Sequence, residues 1–346
     1  MRWKIAIKVQ AMLLALLSAG VVDADDVTPP QFAGFEVDNN FTAGNCGGDC
    51  GLVCVCQPET HYSLGANFLW LGRNKAEANP LLAFPADAPT TFLLGADEME
   101  FDVRAGIDIG FRAQRPSGRS WELRYFGLFD QQALERRTYV DGDANPANDA
   151  TIVHLGATHG SYTDLTTDYS SDLHSGELNL WLKPWWRLEP VVGVRWMRQS
   201  EELESFVTTN LGEGSLIEFA NNMYGAQAGF RTILWESPPC FRLEATLKAG
   251  AFMNDTRLGG ETRTGGITTT VAGTSFSTTS YVGELVISAV YQITPYFSAR
   301  IGYNGLWMDR VGLAANQIDE SFFAPGTTDL TTLIYQGGHL GLEWSW

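Results

Sequence analysis

The clearest signal along the chain is an alternation of apolar and polar residues with a period of two. In MEFDVRAGIDIGFR (99–112), Phe101, Val103, Ala105, Ile107, Ile109 and Phe111 share one parity, and Glu100, Asp102, Arg104, Asp108 and Arg112 share the other. Successive side chains of a strand point to opposite faces, so this segment has one dry wall and one wet wall. The pattern recurs in SWELRYFGLFD, FRLEATLKAGAF and YFSARIGYNGLW, and less regularly near 61–72, 175–183, 187–200, 222–235, 281–293 and 333–346. These segments predict ten strands of roughly 9–15 residues, long enough to cross a bilayer when tilted.

The connections select the architecture. Every second one is short and carries proline: QRPSGR, PWWR, ESPPC and TP. The others, near 73–98, 131–174, 201–221, 254–280 and 309–332, read as long loops. Short turns alternating with long loops are the layout of an outer-membrane barrel, with the turns in the periplasm. Aromatic residues support it. Tyr62, Phe111, Trp121, Trp185, Trp186, Trp235, Phe241, Tyr291, Tyr296 and Trp344 fall at the short-turn ends of the strands. Trp70, Phe101, Phe129, Trp196, Tyr224, Phe252, Tyr281 and Trp307 fall at the long-loop ends. Rings at both interfaces form the girdles of a membrane barrel. The predicted fold is therefore all-β, a membrane-spanning antiparallel up-and-down barrel of about ten strands. Twelve follow if 131–174 hides another hairpin.

The last stretch, HLGLEWSW, sets Leu340, Leu342, Trp344 and Trp346 against His339, Gly341, Glu343 and Ser345. It is expected to close the barrel on the first strand, since no backbone edge stays open in hydrocarbon. Its aromatic end resembles the signal read by barrel-insertion machinery, with Trp346 where phenylalanine is usual. At the other end, Arg2, Lys4 and Lys8 precede a short apolar run, and Val22-Asp23-Ala24 supplies small residues where a signal peptidase reads. This predicts a signal peptide (1–24), a cysteine-containing periplasmic segment (25–60) and the barrel (61–346). The location expected is the bacterial outer membrane.

Charge sharpens the picture. The chain carries a net charge of −17, and losing residues 1–24 removes three cations and one acid, giving −19. Such acidity excludes nucleic acid as a partner; the partners expected are outer-membrane lipid, the insertion machinery and small solutes. The long connections sum to −15, so the barrel wall is nearly neutral. Its wet face carries mixed signs: Glu100, Asp102, Arg104, Asp108, Arg112, Glu122, Arg124, Glu177, Lys183, Glu189, Arg195, Arg231, Arg242, Glu244, Lys248, Glu284, Arg300 and Glu343. In a narrow lumen these charges either pair and brace the interior shut or line a polar path for small solutes. An interior of about eight strands is just filled by side chains, so ten lie near the filled end.

Three stretches, ANFLWLGRN (66–74), FDVRAGIDIGFR (101–112) and LRYFGLFD (123–130), resemble the putative β-barrel porin-7 family of bacterial outer-membrane proteins. The resemblance spans about residue 60 to 346. It implies an outer-membrane location and a pore, and it transfers no catalytic residue. No cofactor is expected.

Other constellations carry less. Cys46, Cys50, Cys54 and Cys56 lie in the N-terminal segment and Cys240 in a short turn on the same side. An oxidising compartment favours disulfides over a zinc site, with Cys240 tying the segment over the barrel mouth. DGDANPAND offers Asp141, Asp143, Asn145 and Asp149 at calcium-loop spacing. It has Pro146 in place of the glycine that the turn needs and Ile152 in place of the bidentate glutamate. An enzyme would need a rim constellation, for which His154, His159 and His174 lie near Asp164, Asp168 and Asp172; nothing fixes their geometry. A receptor or adhesin would use the Thr- and Gly-rich outer loops, a composition that also suits a plain exposed loop. His339, opposite Glu343, reads as lumen bracing.

Overall fold

A strand in hydrocarbon must give every backbone N–H and C=O a neighbour, which only a closed sheet can do. The computed structural model of the chain describes residues 60–75, 80–82, 94–138, 152–154, 157–159, 164–207, 210–237, 240–317 and 330–346. Ten antiparallel strands close on themselves: β1 (His61–Arg73), β2 (Arg104–Gln114), β3 (Ser120–Thr138), β4 (Asp164–Trp181) and β5 (Leu188–Val207), then β6 (Asn210–Ser237), β7 (Phe241–Thr264), β8 (Ile267–Gln292), β9 (Phe297–Gly312) and β10 (Leu330–Ser345). Each strand pairs with its neighbours in sequence, and β10 pairs with β1. Two short ribbons, Pro80–Leu82 with Leu94–Gly95 and Ile152–His154 with Ala157–His159, stand apart from the barrel. The barrel count is thus ten, and residues 131–138 and 164–173 extend β3 and β4 rather than forming a further barrel hairpin.

The seam follows from the alternation of HLGLEWSW. Ser63 lies opposite Ser345, Phe68 opposite Leu340 and Arg73 opposite Tyr335. Tyr62 and Trp346 each donate a backbone N–H to the other's carbonyl at 2.9 Å. Leu340, Leu342, Trp344 and Trp346 point outward and are exposed, whereas His339 is buried in the bore. The rings of Trp344 and Trp346 lie 4.5 Å apart, and Trp346 stacks on Tyr62 at 5.9 Å.

Several strands are much longer than the alternation predicts. β6, β7 and β8 run for 28, 24 and 26 residues, and most of 201–221 and 254–280 is ladder, not loop. β7 and β8 turn at Gly265 and Gly266, with φ of 59° and 80°. Two consecutive positive φ values are what a tight hairpin turn demands and what glycine supplies without steric cost.

The pattern inverts along each long strand. On β5, Val192, Val194 and Trp196 point outward and are exposed, and then Arg198, Ser200, Glu202 and Glu204 take over the same face. Inward, the charged Glu189 and Arg195 give way to Met197 and Leu203, both fully buried. Below Trp196 the outside is apolar and the inside polar; above it the outside is polar and the inside has an apolar core. The upper barrel is therefore a water-exposed collar standing on a membrane-embedded base. Two residues expected in the outer girdle sit inside instead. Phe252 is buried on the inward parity of β7, and Phe101 precedes β2 and packs on Tyr169 at 4.8 Å.

Candidate functional site

Alternation places the inward charges of the base in two tiers. The deeper tier centres on Arg124 of β3, which donates to Asp108 at 2.7 Å, Glu284 at 2.5 Å and Glu177 at 3.1 Å. Arg195 reaches Glu284 at 2.6 Å and Glu177 at 3.5 Å. Lys248 bonds Glu177 at 2.6 Å and lies 3.5 Å from Glu284. Three cations thus face three carboxylates drawn from β2, β3, β4, β5, β7 and β8. Asn179 and Gln227 add amide donors to Glu177, and Asn67 adds one to Asp108.

The tier nearer the periplasm is also balanced. Arg112 and Arg231 both bond Glu189, and each stacks over Trp181 with 5.1 Å to the ring centroid. Glu244 binds Arg300 at 2.5 Å and Arg242 at 3.2 Å, and Arg300 lies 3.4 Å from Glu343. Glu122 accepts hydrogen bonds from Asn179 and the Trp181 indole. Buried ions persist only where partners and hydrogen bonds replace lost water, and both tiers supply them.

Four residues assigned to the lumen from alternation lie elsewhere. β2 starts only at Arg104, so Glu100 and Asp102 belong to the exposed approach to the strand. Glu100 pairs with Lys75 at 2.5 Å, and that hydrogen bond, together with the ammonium charge, holds its carboxyl below the usual range. Arg104 is half-exposed at the rim, 4.0 Å from Asp102. Lys183 is exposed in the turn between β4 and β5, because the inward alternation of β4 ends at Trp181.

Above the deeper tier the bore is packed mainly with apolar side chains, with the buried Ser175, Asn254 and Ser280 set among them. Leu69, Leu128, Met197, Met223 and Met308 have no solvent exposure, and Phe252 and Leu306 almost none. Gly106 makes room for this layer: a Cβ there would stand 2.5 Å from both the Gly127 carbonyl and a methyl of Leu128. Higher still, Arg73 bonds the buried Glu201 at 2.6 Å, and Tyr169 bonds the same carboxylate. The Ala314 N–H donates to Glu201 at 2.8 Å and Asn221 bonds the backbone of Gly312, holding the turn Ala314–Gln317 inside the collar. Alternation missed Arg73 and Glu201 because both lie where strands continue past the membrane. Asn67, Asn179, Gln227 and Asn304 share the inward parity and are legible once uncharged amides are counted with the charges.

His154 and His159 lie in the short ribbon, opposite Ala157 and Ile152. His174 faces outward on β4 and shares a 2.8 Å hydrogen bond with the Tyr125 hydroxyl. The four calcium-loop candidates, Asp141, Asp143, Asn145 and Asp149, lie outside the described residues, as do Cys46, Cys50, Cys54 and Cys56, and with them any pairing to Cys240.

On the collar's outer wall Glu202 stands beside Glu218, Glu204 and Asp168. Partial burial and then these like charges push its carboxyl above the usual range, and burial with nearby Asp130 does the same to Asp168. The folded collar therefore holds these protons more tightly than the unfolded chain. Acidification from neutral through the carboxylate range should stabilise it, a gain complete only below the unfolded values. Proteolysis of the collar should slow as pH falls towards that range. Glu218→Gln should flatten the dependence, and a pH-independent rate would contradict it.

A closed antiparallel barrel with an aromatic-belted apolar outer wall defines an outer-membrane β-barrel protein of bacteria. More particularly, the chain belongs to the putative beta barrel porin-7 family, which it matches over residues 83–336. No curated protein matches it. Among solved structures it is similar to the outer membrane protease OmpT from Escherichia coli, at 12% identity over 84% of this chain and 98% of that one, with a TM-score of 0.45. It is also similar to the toluene transporter TbuX of Ralstonia pickettii, at 9% identity over 84% and 89%, TM-score 0.31, and to the toluene transporter TodX of Pseudomonas putida, at 7% identity over 84% and 89%, TM-score 0.33.

Proposed function

We propose that this porin-like protein is a braced, non-conducting barrel that anchors an extracellular collar, with no catalytic activity of its own. The observation that carries the reading is the apolar layer across the bore, where Leu69, Leu128, Met197 and Met223 have no solvent exposure. Conduction needs a continuous polar path, and a bore sealed by packed side chains offers none. Beneath that layer each charge tier is internally neutral, as bracing requires. In this reading the first 24 residues are removed on export, and the strand ending at Trp346 is what the insertion machinery takes up.

Reconstituting residues 25–346 in a planar bilayer tests the proposal. No discrete conductance steps are expected from a barrel shown to be folded by its heat-dependent gel mobility. Steps altered by Asp108→Asn or Lys248→Met would overturn it and make the lumen a pathway for small solutes.

A further inference from the structure

Solvent reaches the interior charges unevenly. Side-chain exposure falls from 36% at Arg242 and 20% at Glu343, at the periplasmic mouth, through 10% at Asp108 to 1% at Glu177 and Arg195. Between mouth and apolar layer lies a cavity of about 90 Å³, whose lining includes Asn67, Thr246, Ser288, Arg300, Asn304 and His339.

Four buried polar atoms on that lining have no hydrogen-bond partner among the described residues: Asn67 Oδ1, Arg300 Nε, Asn304 Oδ1 and His339 Nδ1. Asn304 and His339 are each only 4% exposed. The other ring nitrogen of His339 is already engaged by the Ser288 hydroxyl at 3.1 Å. Leaving a buried polar group unpaired costs its full desolvation penalty, so four around one cavity call for a guest that both donates and accepts. A water needs roughly 10–15 Å³ of such space and 2–4 polar partners, and the cavity offers room for several.

We propose that the periplasmic half of the bore is a blind, hydrated chamber. Water enters from the periplasm, is held by Asn67, Arg300, Asn304 and His339, and goes no further than the apolar layer. The chamber admits water and solutes of a few heavy atoms. This rests on the closed-barrel reading and goes beyond it, because a braced interior has no need of a wet compartment.

Radiolytic hydroxyl-radical footprinting of the full chain in lipid vesicles tests this, because radicals formed from bound water oxidise the side chains beside it. Methionine is intrinsically far more reactive than histidine, so the two compartments can be compared within one molecule. The expected result inverts that order: His339 is oxidised several-fold more than Met197 and Met223, and Asn304→Leu reduces oxidation at His339. Oxidation of Met197 and Met223 together with His339 would mean water crosses the whole bore, overturning both the blind end and the closed barrel. Protection of all three would overturn the hydrated chamber alone and leave the closed barrel standing.

Discussion

Replacing Glu177 with alanine is expected to destabilise the barrel by about 3–5 kcal/mol, the typical cost of removing one partner from a buried ionic cluster. Glu177 is 2% exposed and lies within 2.6 Å of Lys248, 3.1 Å of Arg124 and 3.5 Å of Arg195. Without it, three cations remain with Glu284 and Asp108 as their only carboxylates. The loss comes less from the missing attraction than from a net positive charge left in a poorly solvated tier. Glu177→Gln with Lys248→Met restores neutrality and should recover most of the stability, since a buried ion pair is often matched by an uncharged packing of similar volume. Denaturant unfolding in lipid vesicles measures both. A wild-type midpoint for Glu177→Ala would mean that the tier is open to water.

The second large effect concerns the seam. Deleting residues 338–346 removes the β10 backbone partners of Ser63–Trp70 on β1 and of Phe297–Tyr303 on β9. Each backbone group left unpaired in hydrocarbon costs roughly 2–7 kcal/mol, and several at once exceed the ~5–15 kcal/mol by which proteins are typically stable. The truncated chain should show no heat-modifiable folded form and no protease-resistant core. Trp346→Phe, which keeps the ladder and an aromatic end, should fold. A protected barrel from the truncated chain would refute closure through β10.

Much of the base was legible from residue order alone. A strand crossing lipid has one face in hydrocarbon and one in a polar bore, so MEFDVRAGIDIGFR and HLGLEWSW declare their outward residues by parity. The collar was not legible, because its environment is reversed: water lies outside and the packed core inside. On β5 the apolar parity switches between Trp196 and Met197, and a reading that expects one constant dry face sees the strand end there. The glycine pair in RTGGIT was an available sign of a hairpin turn, overlooked because the threonine-rich flanks resemble an exposed loop. The charged members of both tiers shared the inward parity and were visible. Which acid meets which base depends on the register of strands far apart in sequence, and single-strand alternation carries no information on that.

The length of β7 has a consequence for how the cell surface is met. From Phe252, near the outer belt, to the turn at Gly265 the strand continues for about 13 residues, and at ~3.4 Å each with a tilt near 40° it rises roughly 34 Å. That standoff is about as tall as the hydrocarbon layer below is thick. A particle, phage or neighbouring cell approaching this patch of membrane strikes the hairpin tip while the lipid is still a bilayer's thickness away. A collar of that height would hold large objects about that far from the lipid.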